Sequence, residues 1–173
     1  MSGLEYIKVL AKIFVVGLVI IVFAKNMFSP KVLSDTNLKT AYGSVKQLCL
    51  EHETCMVFYV APWCPACKSA SSKILGIRQY IQNNPDISSR VGVEVIVGLS
   101  AQRELVSFAA QFGSNVFLDE DGIIYRDIGV RGVPAVFSMK QSGEILGTGH
   151  LYNGVSSEEL TSMLIKKLNL NTY

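Results

Sequence analysis

The sequence predicts an α/β domain, a mixed central sheet with helices on both faces, preceded by an N-terminal transmembrane helix. Three observations lead there. An apolar, strand-like run, Cys55-Met56-Val57-Phe58-Tyr59-Val60, feeds through Ala61-Pro62 into Trp63-Cys64-Pro65-Ala66-Cys67 and then a helix-like run from Lys68 to Gln82. A second run, Val91 to Leu99, is β-branched and almost wholly apolar, as a strand buried on both faces should be. Residues 1–30 form a separate apolar block with a basic start.

The composition agrees. A chain of 173 residues accommodates one domain of ordinary size plus an extension. A hydrophobic content of 49% with only 17% charged residues excludes a disordered chain and points to a membrane segment. The formal net charge of +2 is too small to argue for nucleic acid as a partner. Four cysteines in two close pairs suit an oxidising compartment.

In chain order, residues 1–28 read as a signal-anchor, 29–35 as a linker and 36–173 as the folded domain. The uncharged run from Ile13 to Ala24 is shorter than the roughly 20 residues a bilayer requires. Extended from Ile7 to Phe28 it reaches that length if the lysines reach toward the headgroups. Lys8 and Lys12 place the N-terminus in the cytoplasm and the domain outside, periplasmic if the cell is Gram-negative, although Lys25 and Lys31 blur the bias. The competing reading is a cleaved signal peptide with Val22-Phe23-Ala24 at its cleavage site.

In the domain, Leu38, Ala41, Tyr42, Val45, Leu48 and Cys49 fall on one helical face and predict a first helix. The cysteine motif then opens a second helix, with Ala70, Ile74, Ile77 and Ile81 inward and Asn83-Asn84-Pro85-Asp86 at its end. After the Val91 strand, Ser100 caps a helix carrying Leu105, Phe108, Ala109 and Phe112 on one face. Val116 to Leu118 is a short apolar stretch, Asp119 to Gly122 an acidic turn, and Ile124 to Ile128 one more helical turn. Val133 to Met139 is a strand led by Pro134, turned at Gln141-Ser142-Gly143 into a hairpin partner. Ser156 and Glu159 form a capping box before a last helix with Leu160, Met163, Leu164 and Leu168 inward.

A C-x-x-C pair at a strand-to-helix junction is suited to thiol-disulfide chemistry. A sulfur at a helix start lies beside unpaired backbone N–H groups and the positive end of the helix dipole, and both favour the reactive thiolate. Cys67 lies on the same helical face, able to attack a mixed disulfide at Cys64. Pro65 suits the first turn, where a missing N–H costs little. A zinc site would need two more ligands from Cys49, Cys55, His52 and His150, none in a second C-x-x-C; no metal or other cofactor is expected.

These residues resemble the thioredoxin superfamily. The resemblance rests on Ala61-Pro62-Trp63-Cys64-Pro65-Ala66-Cys67, on Gly129-Val130-Arg131-Gly132-Val133-Pro134, and on Gly143 and Gly149, and covers roughly residues 36–170. With the anchor, the chain looks most like the membrane-tethered extracytoplasmic thioredoxin-like proteins. The resemblance implies Cys64 as nucleophile, Cys67 as resolving thiol and Pro134 as a cis-proline. It further implies a substrate surface of Trp63, Pro65, Ala66, Val133 and Pro134, with Val133 offering its backbone to an extended substrate. Its partners would be protein disulfide or dithiol substrates and a redox partner protein that resets the pair.

The chain also departs from the pattern. Where cytoplasmic thioredoxins carry a buried acid, this sequence has Phe58. Glu94 is a substitute if it points inward, although on a strand it reads as a surface residue. The Pro65-Ala66 dipeptide lacks the histidine of the strong oxidases, which tilts the expectation toward a reductase or mild exchanger; Val133 pulls toward the oxidases. Cys49 and Cys55 are either a second disulfide or two buried inert thiols. The rival functions are a dedicated disulfide oxidase and a non-enzymatic binding or assembly module using the Val133-Pro134 groove.

Overall fold

The computed structural model describes residues 13–17, 31–113, 115–151, 156–168 and 170. The chain divides into two compact units, Met1–Pro30 and Lys31–Tyr173. In the first, residues 13–17 are helical. Among the described residues no helix is long and apolar enough to cross a membrane, and the expected span 7–28 falls largely outside them.

The second unit is built on a seven-stranded sheet. Its strands are β1 (Asn37–Thr40), β2 (Val45–Gln47), β3 (Thr54–Val60), β4 (Val91–Gly98), β5 (Val116–Asp119), β6 (Ala135–Lys140) and β7 (Ile145–His150), in the order β2-β1-β5-β4-β3-β6-β7. The centre, β5-β4-β3, is parallel, and an antiparallel hairpin closes each edge. The helices are α1 (Pro65–Gln82), α2 (Pro85–Ser88), α3 (Gln102–Ala109), α4 (Ile123–Ile128) and α5 (Ser157–Lys167). Sheet and helices therefore follow the expected mixed architecture.

Period-two alternation in the central strands makes two cores. Met56, Phe58 and Val60 of β3 and Val93, Val95 and Val97 of β4 face α1, α3 and α5, where they meet Ile74, Ile77, Leu105, Leu160 and Leu164. Cys55, Val57 and Tyr59 with Ile96 face the opposite way, toward Leu33, Leu48, Ile124 and Ile128. At about 25 cal/mol per Å² of apolar surface, these layers supply the main drive for folding.

The predicted first helix over Leu38–Cys49 does not form; the segment is the β1–β2 hairpin. Gly43 stands at φ 85° in its turn, where the Thr40 N–H donates to the Ser44 carbonyl at 2.7 Å. The helical face dissolves accordingly. Tyr42 and Val45 are exposed, while Leu48 and Cys49 are fully buried in the second core. Pairing of β1 with the open edge of β5, Lys39 opposite Leu118, satisfies backbone groups that a helix would have left unpaired. Tertiary pairing here overrode a 3.6-residue pattern that arose by accident.

The α3 helix begins after Ala101, not Ser100; the Ser100 hydroxyl instead hydrogen-bonds Glu104. At α5 the Ser156 hydroxyl accepts the Glu159 N–H at 3.1 Å, a cap contributing about 1 kcal/mol. At the C-terminal end of β4 no side chain fits at Gly98: a Cβ would lie 1.9 Å from the Tyr59 hydroxyl oxygen. That hydroxyl donates to Asp119 at 2.7 Å, and burial first, then Asp119, hold it protonated. Asp119 also accepts the N–H groups of Ile123 and Tyr125, fixing α4 to the sheet.

Candidate active site

β3 delivers the chain at Val60, and Ala61-Pro62-Trp63 carries it to the start of α1. Cys64 is the N-cap of α1, with extended backbone angles, and Pro65 is in the first turn. The Cys64 Sγ accepts the Cys67 N–H at 3.3 Å, an amide of the first helical turn that it shares with the Cys64 carbonyl at 3.1 Å. The same thiol donates to the Val133 carbonyl at 3.4 Å. Both motif cysteines are unbridged, and only Cys64 has any exposure, 6% against 0%.

Cys67 lies one helical turn deeper, packed in the first core, and its Sγ accepts the Ala61 N–H at 3.4 Å. Burial, reinforced by a hydrogen bond to Cys64 and by that group's charge and only partly offset by the Ala61 N–H, pushes its pKa up to about 12. Cys67 thus keeps its proton at neutral pH while the helix N-terminus is directed at Cys64.

The loop from Gly129 closes the site. The Val133-Pro134 peptide bond is cis, as the resemblance implies. Val133 and Pro134 line a cleft of about 390 Å³ with Gly132, Leu151 and the α1 residues Ala66, Ser69, Ala70 and Lys73. Ala66, Val133 and Pro134 are therefore brought together beside Cys64. Trp63 stands on another side, 58% exposed, its indole N–H donating to the Leu99 carbonyl at 2.8 Å. Pro65 is exposed at the helix start and lines neither side.

No carboxylate acts on Cys67 among the described residues. Glu94 is not a surface residue as expected, nor does it stand in for the missing acid. It is buried on β4 with the register of Ile96, on the sheet face away from Cys67. There its Oε2 accepts the Cys49 N–H at 2.8 Å. Burial raises its pKa to about 7, with Glu51 adding to the rise while the Cys49 N–H and Arg78 oppose it. A lone acid in an apolar strand gave no sign in the sequence of which face it takes; its pairing follows from the chain returning through Cys49.

Cys49 and Cys55 are joined by a disulfide, with their Cα atoms 5.6 Å apart, rather than standing as two buried thiols. The bridge lies in the second core, behind the sheet from the C-x-x-C pair. Among the described residues no three His, Cys, Asp or Glu side chains gather as a metal site.

Sheet order, the dithiol at the start of α1 and the opposed Val133-Pro134 loop define the thioredoxin-like fold. Comparison with solved structures gives the same class. A secreted Mycobacterium tuberculosis disulfide oxidoreductase homologous to E. coli DsbE is similar with TM-score 0.55 and 19% identity, over 75% of this chain and 94% of that one. A thiol:disulfide interchange protein of the thioredoxin family from Chlorobium tepidum is similar with TM-score 0.57 and 18% identity, over 80% and 97%. The pneumococcal exposed lipoprotein thioredoxin Etrx1 from Streptococcus pneumoniae gives 0.59 and 15%, over 77% and 99%. At such identities the likeness is one of fold. No protein-family profile matches the chain, and no curated protein matches it by sequence.

Proposed function

We propose that this protein is a membrane-anchored, extracytoplasmic thiol-disulfide oxidoreductase that reduces or exchanges disulfides in exported proteins through Cys64 and Cys67. One observation carries the reading: the Cys67 N–H is directed at the Cys64 sulfur at 3.3 Å while the Cys67 thiol is buried and kept protonated. That division is what a two-step exchange needs. The Cys64 thiolate attacks one sulfur of a substrate disulfide; a Cys64–substrate bond forms, the substrate S–S bond breaks and one substrate thiolate leaves. Cys67 then loses its proton and attacks the Cys64 Sγ. The Cys64–Cys67 bond forms and the second substrate thiolate departs. Two electrons pass from the protein dithiol to the substrate, and the two thiol protons end on the released thiols. A partner protein returns the pair to the dithiol.

The cleft beside Val133 and Pro134 supports an extended substrate segment docking on the Val133 backbone. The absence of a histidine between the cysteines favours a reducing or mildly exchanging role over a dedicated oxidase. Anchoring rests on the apolar run within residues 7–28. Equilibration of the dithiol against glutathione decides the direction: a potential below about −200 mV supports a reductase, and one near −120 mV supports an oxidase. Resistance to carbonate extraction, with an active phosphatase fused after Tyr173, tests the anchor and its orientation; a soluble fragment beginning near Lys25 would mean a cleaved signal peptide.

A further inference from the structure

Cys64 has a second flank. Between the start of α1 and the exposed face of α3 runs an open groove of about 890 Å³, more than twice the volume of the cleft beside Pro134. Trp63 and Lys68 stand on one wall and Arg103, Glu104 and Phe108 on the other. At 3.6 residues per turn Lys68 lies on the far side of α1 from the Ala66-Ser69-Ala70-Lys73 stripe that lines the Pro134 cleft, so the two hollows lie on different sides of the reactive sulfur.

The groove is basic. Lys68 and Arg103 are exposed, and among the described residues neither has an ion-pair partner. Its single carboxylate, Glu104, is engaged by the Ser100 hydroxyl and lies in the first turn of α3, where the helix dipole compensates its charge. Two aromatic rings complete it: Phe108, set edge-on to Phe112 at 5.7 Å, and Trp63, pinned to the Leu99 carbonyl. Two cations without an ion-pair partner among the described residues, set beside two fixed rings of which Trp63 is next to Cys64 in sequence, complement an acidic polypeptide that carries a disulfide.

We propose that this groove docks an acidic segment of the protein whose disulfide Cys64 attacks, so that partner choice is made by charge on the Trp63 side as well as by strand pairing on the Pro134 side. The inference rests on the exchange activity proposed above. Lys68 and Arg103 steer the encounter, and Trp63 and Phe108 give the segment an apolar floor.

The test uses the full-length reduced protein in a non-ionic detergent. Two synthetic peptides contain the same disulfide, flanked by aspartates in one and lysines in the other. Their reduction is followed by acid quench and mass spectrometry, beside reduction of the small uncharged hydroxyethyl disulfide. The acidic peptide should react about tenfold faster at low salt. The preference should shrink toward unity near 1 M salt, where charges are screened within about 3 Å. Lys68→Glu combined with Arg103→Glu should invert the ratio, and Arg103→Glu alone, remote from the sulfur on α3, should move it the same way by a smaller factor. Taking a ratio removes any change in the reactivity of Cys64 itself. Equal rates on both peptides, or a ratio that the charge reversals leave in place, would overturn the docking proposal while hydroxyethyl disulfide is still reduced. Failure to reduce any of the three disulfides would overturn the exchange reading, and the docking proposal with it.

Discussion

The buried carboxylate of Glu94 holds the backbone N–H of Cys49 at 2.8 Å, tying the loop closed by the Cys49–Cys55 disulfide to the middle of the central sheet. The pairing carries a pH signature. With a folded-state pKa raised to about 7 from an ordinary 4.5, Glu94 binds its proton more tightly in the native than in the unfolded chain. Its contribution to stability is full below about pH 4.5 and is lost as pH rises through about 7. Glu94→Gln keeps an oxygen for the Cys49 N–H and cannot ionise. It should flatten this part of the stability profile and stabilise the domain at pH 8, with about 3 kcal/mol as the upper bound. Urea titrations of both proteins at pH 5 and pH 8 measure the difference; equal slopes with pH would refute the assignment.

Removal of the bridge itself should be costly for folding and neutral for chemistry. Cys49→Ala with Cys55→Ala opens a loop with a sequence separation of 6. The chain-entropy relation gives a loss of about 2 kcal/mol. The bridge lies behind the sheet from Cys64, so thiol exchange at the C-x-x-C pair should proceed at the parental rate in the folded protein. Denaturant midpoints and single-turnover exchange rates separate the two effects.

The asymmetry of the motif cysteines predicts opposite phenotypes. Cys64→Ser should abolish exchange, whereas Cys67→Ser should accumulate mixed disulfides at Cys64, visible as reductant-sensitive adducts on non-reducing gels. In Cys64→Ser the influence of the neighbouring sulfur is gone, but burial, the largest cause of the Cys67 shift, remains. Iodoacetamide should therefore alkylate Cys67 slowly at pH 7–8 and speed up only above the ordinary thiol range. Rapid alkylation at neutral pH would reverse the roles assigned to the two sulfurs.

Gly98 offers a steric test. Gly98→Ala should destabilise the domain by about 3 kcal/mol or more, because the new methyl meets the Tyr59 oxygen at 1.9 Å and ring carbon Cζ at 2.6 Å. Tyr59→Phe alone removes the buried bond to Asp119 and should cost about 1–3 kcal/mol. The double variant should be more stable than the sum of the two changes implies, since removing the oxygen relieves the worst overlap. Strict additivity would show that the backbone at Gly98 moves aside instead.

Much of this site was legible because its parts are local. A strand, a C-x-x-C pair with proline in the first turn, and a helix with Ile74, Ile77 and Ile81 inward follow one another without interruption, and each fixes the next. The Gly129–Pro134 loop was legible by pattern, although its 3.4 Å contact with Cys64 depends on antiparallel pairing of β3 with β6. What stayed hidden was non-local. Leu38 to Cys49 imitates a helix until an open strand edge at β5 is available to pair with. The face taken by Glu94 depends on β4 register, and the bond from Tyr59 to Asp119 spans 60 positions of sequence. The groove wall at Arg103 and Phe108 was equally invisible, since it exists only once α3 lies beside Trp63.

The chain contains a single tryptophan, and it is Trp63, adjacent to Cys64 and held by the Leu99 carbonyl. All indole emission from this chain therefore originates beside the C-x-x-C pair, from a ring whose orientation is fixed yet which is largely open to solvent. Oxidation of the pair, or filling of the neighbouring groove by the segment proposed above, would change the surroundings of that one fluorophore, so the protein would serve as its own optical probe without a label.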